Sequence, residues 1–492
     1  MKIARRQRVV PWYAVSRVLL LLLALNTLRY FNRGAIIGDM QTYHQWITGS
    51  FDHGAYPLDD QRWQYPPGAA GVLLLPHWLP GSYFVLFFLM CLAADVAVFV
   101  LLLRAARGAD PERPSAAGPW LWTLGVAAIG PMAYGRYDLV VTAVAVAALT
   151  VTPRSKRATA VARGVLIGIG AFLKLWPAAF LFGAPKRRNG RLLVGVAAAA
   201  AVLPTLVLQL VFPGVLSFLT NQKSRGIQVE SVFASPFLVG KWFGWSGEAR
   251  NTEYGAFEYI GTGVSAAGKA ALAATAVGFA VLLLIRRRAA VRGGFPFPGM
   301  LADVGFAAVL VAVVTSRVLS PQYLVWLLAV AAVCLTRRAT LMRTPAWLVL
   351  GAVSVTQLIF PLFYHSLRLG QVYSGLILLG RNAVLVAAAV VALRALWRAT
   401  GAESGLLAES GLVAESGRVG ESGLVGESGL VGESGQHAES GLLLDGGRLG
   451  EDVGAPLDGE VLRAGPEHGP ERVTYRIGRA VRGGADRLVE GD

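Results

Sequence analysis

VLLLLLALNTLRYF fills residues 18–31, and GDMQTYHQW follows it from Gly38 to Trp46. The first stretch is apolar enough to sit in oil. The second holds an acid, a histidine and several groups that hydrogen-bond or stack. If the first stretch spans a bilayer, the second lies at its mouth. Whether that pairing repeats along the chain decides the fold class.

It does repeat. Apolar runs recur at about 11–31, 82–103, 118–134, 139–152, 164–183, 192–212, 263–285, 298–316, 322–336, 345–363 and 374–397. About 20 apolar residues cross a bilayer core. The chain is 54% hydrophobic and only 15% charged, against roughly 25% charged in soluble domains. Mean hydropathy is +0.52. These numbers predict an all-α polytopic membrane protein. The first run has a basic flank but lacks an A-x-A site, so it reads as a retained span rather than a signal peptide. Cys91 and Cys334 both lie in apolar runs, which implies neither a disulfide framework nor a cysteine metal site.

The net charge of +16 hides a split. Residues 399–492 hold 8 arginines and 17 acids, a net of −9, and residues 1–398 hold 38 basic and 13 acidic residues, a net of +25. Nucleic-acid binding is the usual reading of such a basic chain. Here the basic residues fall in short loops: MKIARRQR, RAARGADPERP, PRSKRATAVAR, PKRRNGR, RRRAAVR and RRATLMR, then Arg394 and Arg398. That is the positive-inside pattern, which places these loops and both termini in the cytoplasm. The run 164–183 has basic clusters on both sides but length for one crossing. Lys174 and Pro177 interrupt it, so a broken or re-entrant hairpin is expected, packed inside protein. YPPGAAGVLLLPHWLP, near 65–80, is too short and proline-rich for a span and is expected at the interface.

Residues 1–398 therefore form one membrane domain with large outer loops at 32–81 and 213–262. Residues 399–492 form a cytoplasmic tail. In it, ESG recurs at 403, 409, 415, 421, 427, 433 and 439. One apolar pair per six residues cannot bury a core, so this low-complexity tail is expected to be disordered.

Nine of the 13 acids before residue 399 fall in the outer loops. Acids contribute little to orientation, so their gathering there wants another reason. Asp39, just past the first span, is placed to act as a general base on a hydroxyl, with His44 close by. Asp52, His53, Asp59, Asp60, Trp63 and Tyr65 make the same loop suited to sugars. GRYD (135–138) offers Arg136 for an anion, oriented by Asp138 or ion-paired with it. RGIQVES (225–231) offers Arg225 and Glu230, with Lys223 before them. Arg317, Ser320, Gln322 and Tyr323 interrupt an apolar region beside Pro321, and polar groups at membrane depth are functional candidates. His365 and Arg368 complete the set. Lys174 reads first as a snorkelling lysine, and Asp95 and Asp303 as internal partners of Lys or Arg. No Walker loop, Rossmann fingerprint, HExxH or CxxC is present. A sugar donor reachable from the membrane, a lipid-phosphate sugar, fits that absence.

The ordered set GDMQTYHQW, YPPGAAGVLLLP, GRYDLVV, GVLIGIGAFLKLWPAAFL, RGIQVES and SPQYLVWLL resembles the GT-C superfamily of membrane glycosyltransferases. It is most similar to the polyprenol-phosphate-mannose-dependent α-1,2-mannosyltransferases of mycobacteria and their relatives. The resemblance implies a bundle of about 10–12 transmembrane helices in the inner (plasma) membrane. It implies an active site on the outer face, with Asp39 catalytic and inversion at the sugar carbon. It implies no nucleotide, cofactor or obligatory metal. The donor would be a polyprenyl-phosphate sugar, mannose by the resemblance, and the acceptor a lipid or glycan hydroxyl. His44, Arg136, Asp138, Arg225, Glu230, Arg317, Gln322 and His365 are then the expected substrate-binding residues. Relatives often read G-Q-x-D at the GRYD position, so Arg136 is a variant. The rival readings are a lipid-linked-sugar transporter or flippase, with Lys174, Asp95 and Asp303 along its path, and a scaffold acting through its tail.

Overall fold

The computed structural model describes residues 8–28, 33–109, 115–185, 188–220, 225–292 and 299–401. The tail with its ESG repeats lies outside the described residues. Within them the chain is an all-α polytopic membrane protein.

Among the described residues, five helices are long and apolar enough to cross a membrane: α4 (Tyr83–Ala109), α8 (Arg188–Val211), α10 (Val264–Val291), Arg343–Leu362, which comprises α13 (Arg343–Gln357) and a π turn, and α15 (Val372–Ala399). Five shorter apolar helices lie among them: α1 (Val9–Ala24), α5 (Ala117–Ile129), α6 (Asp138–Thr150), α11 (Met300–Val314) and α12 (Tyr323–Leu335). A helix apolar all round belongs in a core. α11 buries 13 of its 15 residues and α12 buries 12 of 13, so these two form the centre. α8 buries only Gly190, Leu193 and Ala197. Its remaining apolar face, with Leu203 and Leu210 among the exposed residues, suits lipid rather than water.

The expected hairpin at 164–183 exists. α7 (Lys156–Leu173) ends where Lys174 turns extended, at φ −162° and ψ 129°. A 3-10 segment, Trp176–Gly183, then folds back, so that a β-carbon on Gly170 would touch Pro177 at 3.0 Å. α8 next runs parallel to α7, Gly164 against Leu193 and Val196, Gly168 against Ala197 and Ala200. The basic clusters that open the two helices thus share one end of the bundle.

The buried acids are partnered as expected. Asp95 in α4 meets Arg17 at 2.8 Å, and also takes hydrogen bonds from Trp122 Nε1 (2.7 Å) and Tyr134 (2.8 Å). Asp303 takes bonds from Arg337 (2.7 Å), Thr340 (2.9 Å) and the Leu341 amide (3.0 Å). A buried charge unpaired by mutation costs about 3–5 kcal/mol, so these clusters fix the register of the helices they join.

The two large loops are more ordered than a loop reading implies. In the first, α2 (Arg33–Gly49) carries GDMQTYHQW and buries Met40, Tyr43, Trp46 and Ile47. α3 (Ala69–Leu74) follows, and Trp78 and Leu79 beyond it are exposed. The second holds α9 (Ser235–Trp242) and a small antiparallel sheet in the order β1 (Ile227–Gln228), β3 (Phe257–Ile260), β2 (Glu248–Asn251). Ile227 pairs with Tyr259 and Glu248 with Ile260. A separate apolar cluster, including Ile227, Val229, Leu238 and Leu378, seats this sheet on the bundle. α14 (Tyr364–Arg368) closes that side.

Candidate active site

A cavity of about 890 Å³ opens between α2, the Arg136 turn, the Lys174 break, the β-sheet and α12. Its polar end is lined by Asp39, Arg136, Lys174, Arg225, Glu230 and Gln322.

Asp39 owes its place to α2. Residues 40, 43 and 47 of that helix are buried, and Asp39 sits at the edge of that face, with its side chain 35% exposed to the cavity. Its carboxylate meets Arg136 Nε at 2.5 Å. Tyr43 and Trp46 pack into an aromatic cluster with Trp63, Tyr65 and Tyr137. Asp60 pins this cluster by accepting from Trp46 Nε1 at 2.8 Å and from Arg62. Burial alone raises a carboxyl, but the bonds from Arg62 and Trp46 outweigh it and hold Asp60 below its ordinary value.

Arg136 and Asp138 do not pair with each other. Arg136 is extended, at φ −140° and ψ 142°, while Asp138 starts α6. Asp138 instead holds Lys174, Nζ to Oδ1 at 2.7 Å, and also accepts from Trp326 Nε1 at 2.6 Å. Lys174 therefore does not snorkel. Its Nζ lies 5.1–5.9 Å from the ring centroids of Tyr65, Tyr137, Tyr323 and Trp326, within cation–π range. Trp176, Trp326 and Tyr323 stack in series, with centroids 5.4 and 4.2 Å apart, and wall this side of the cavity.

Arg225 is a strut between the two loops. It donates to Glu258 at 3.1 Å and to Gln64 at 3.0 Å, and lies over the Tyr254 ring. Arg317 donates to the Arg225 carbonyl at 3.1 Å, while its own carbonyl accepts from the Gln228 amide. Arg317 thus braces the strand carrying Arg225. Glu230, just after β1, is 1% exposed. Burial pushes its carboxyl up to about 7, with Arg381 and Arg136 opposing.

Two expected residues sit elsewhere. His44 is five residues on from Asp39, roughly 140° round the helix. Its ring packs on Tyr83 and Phe84. His365 is exposed on α14, whereas its neighbour Tyr364 lines the cavity. The residues missed by sequence reading are Gln64, Gln228, Trp176 and Trp326. The one local signal for Trp176 was a lysine in an apolar run beside a tryptophan, AFLKLWP.

Beyond Lys174 the cavity turns apolar. Leu175, Ala179 and Phe182 line it together with Phe279 of α10 and Val309 and Ala312 of α11. Phe182 and Phe279 stack at 4.9 Å. The 3-10 segment Trp176–Gly183 that forms one side of this arm has eight residues, about 16 Å at 2 Å per residue. A second groove, about 990 Å³, lies between α9 and α15. It is mostly apolar and no acid lines it.

Residues 63–321, more than half of the chain, match the family model of glycosyltransferase family 87. The chain belongs to glycosyltransferase family 87. No curated protein and no solved structure matches it. As a family 87 member it is a membrane glycosyltransferase of the GT-C type, and a transporter without transfer chemistry is disfavoured. The match takes in Arg136, Asp138, Lys174, Arg225, Glu230 and Arg317. Asp39 lies before it, and Gln322 and His365 beyond it.

Proposed function

We propose that this family 87 enzyme moves a sugar, mannose by resemblance, from a polyprenyl phosphate to a lipid or glycan hydroxyl, with inversion. The cavity's two-part chemistry carries the reading: a charged end around Asp39 continues into an apolar arm beside Lys174. A lipid-phosphate sugar has the same order of parts. Its sugar would meet Asp39, its phosphate the junction at Lys174, and its prenyl chain the arm between Trp176–Gly183 and α10. Among the charged lining residues, the basic ones outnumber the acids, which suits a phosphate.

In the reaction the acceptor O–H gives its proton to Asp39. The oxygen forms a bond to the anomeric carbon as the bond from that carbon to the phosphate oxygen breaks. The bonding pair leaves with the polyprenyl phosphate. Lys174, Arg136 and Arg225 stabilise the charge that develops there, and such electrostatic help is often the largest catalytic contribution. Asp138 orients Lys174, and Arg317 holds Arg225 in place. Arg136 also keeps the Asp39 carboxylate directed into the cavity. The assignment of the site to the outer face of the plasma membrane rests on the basic clusters that open α7 and α8, which share one end while Lys174 lies at the other end of α7.

Labelled polyprenyl-phosphate mannose, given to detergent-purified enzyme with membrane extract as acceptor source, tests this. Transfer of label into a new glycolipid or glycan, with no sealed compartment present, is expected. Label that stays on the prenyl phosphate overturns the reading.

A further inference from the structure

The cavity wall contains polar atoms that the protein leaves without hydrogen bonds. Glu230 Oε2 and Gln322 Oε1 are buried acceptors with no donor, and Arg136 Nη1 is a buried donor with no acceptor. Arg381 Nη2 lies 3.7 Å from Glu230 Oε2, beyond hydrogen-bond range. Its own hydrogen bond goes to the Glu230 carbonyl, at 2.9 Å. Each unmet buried group costs stability. Trp176 Nε1 in the same wall is likewise a buried donor with no acceptor, and a fold that gathers such groups in one cavity wall is built to meet them with a ligand.

The atoms themselves restrict that ligand. Two acceptor oxygens repel a phosphate and call for donors. Arg136 Nη1 calls for an acceptor. A hydroxyl is both, and a sugar ring carries several on adjacent carbons. A simple alcohol offers one, and in this cavity that one belongs to Asp39. We propose that Glu230 and Gln322 form a sugar-hydroxyl subsite, which grips a hexose ring through hydroxyls that take no part in bond making. The subsite rests on the reading of the Asp39 cavity as the transfer site. The ring gripped is that of the donor or that of a glycan acceptor, and the chemistry is the same for both.

The test is a cycle of deoxy sugars against variants. A short-chain prenyl-phosphate mannose and its monodeoxy analogues serve as donors, with methyl α-mannoside and its monodeoxy analogues as acceptors. In the wild type, one analogue should lose about 10-fold in kcat/KM, the effect of one buried hydrogen bond. The same analogue should lose little or nothing further in Glu230→Leu or Gln322→Leu, neither of which can accept a hydroxyl. If it is a donor analogue, the subsite holds the donor sugar; if an acceptor analogue, the acceptor sugar. Each ratio is taken within one protein, so partial unfolding of a variant cancels. Equal ratios in wild type and both variants, for every analogue, overturn the subsite. If the wild type turns over no prenyl-phosphate mannose, the donor reading falls, and the subsite is judged by binding. Methyl α-mannoside must then raise the melting temperature of the wild type more than that of Glu230→Leu, and equal shifts overturn it.

Discussion

Lys174 Nζ and Asp138 Oδ1 meet at 2.7 Å across 36 residues of sequence, with side chains only 13% and 2% exposed. The pair joins the break after α7 to the first residue of α6. Removing one partner leaves the other charge buried. Lys174→Met should therefore cost about 3–5 kcal/mol of stability, and Lys174→Met with Asp138→Asn distinctly less. Thermal unfolding in detergent reads both. Transfer should stay lost in the double variant, because the phosphate has no Lys174 to meet. A double variant no more stable than the single one would refute the pairing as a source of stability.

Asp39→Asn keeps the shape of the side chain and removes its basicity. Transfer should fall by about 10²- to 10⁴-fold, the usual range for a lost general base. Donor binding should persist, because Lys174, Arg225 and the apolar arm are untouched. Rates and donor affinity measured side by side check this. Full transfer in Asp39→Asn would remove Asp39 from the base role.

The spans were legible because an apolar run of membrane length needs no partner to be recognised. The break at Lys174 was legible too, from two basic flanks around one run. Asp39's helix was not, since RGAIIGDMQTYHQWITG mixes three glycines with polar groups and has no clear apolar stripe. Pairings were hardest. Arg136 and Asp138 stand two apart and so suggest each other. Yet the extended backbone at Arg136 parts their side chains, one to Asp39 and one to Lys174. Partners so far apart in sequence leave no local mark.

The apolar arm makes a claim about chain length. Ala312 and Ala179 both line it. Ala312→Phe should narrow the arm and raise KM for a long-chain polyprenyl-phosphate sugar several-fold. KM for a donor with one or two isoprene units should move much less. Equal changes for long and short donors would place the prenyl chain elsewhere.

Gly135 is where α2 and the Arg136 turn come closest. A β-carbon there would overlap the carbonyl oxygen of Ile36, which lies one turn before Asp39. Backbone cannot yield as a flexible side chain does. Gly135→Ala should push α2 away, at about 1–3 kcal/mol as for other overpacked cores, and separate Asp39 from Arg136. Loss of transfer in a protein that still unfolds cooperatively is the expected outcome. Wild-type activity in Gly135→Ala would show that the Asp39–Arg136 contact is dispensable.

Glu230 gives stability a pH dependence with a definite sign. Its carboxyl ordinarily titrates near 4.5 and is pushed up to about 7 in the folded protein, chiefly by burial. Between those values the folded chain holds a proton that the unfolded chain has released, so stability falls as pH rises. The contribution is fully present below about 4.5 and is lost as pH climbs through about 7, a change on the order of 3 kcal/mol. The melting temperature in detergent should thus drop between pH 5 and pH 8 by more in the wild type than in Glu230→Gln, whose amide does not titrate. The difference between the two slopes isolates Glu230 from every other titrating group. Parallel slopes would show that its carboxyl ionises near its ordinary value, already stabilised by the Arg381 beside it.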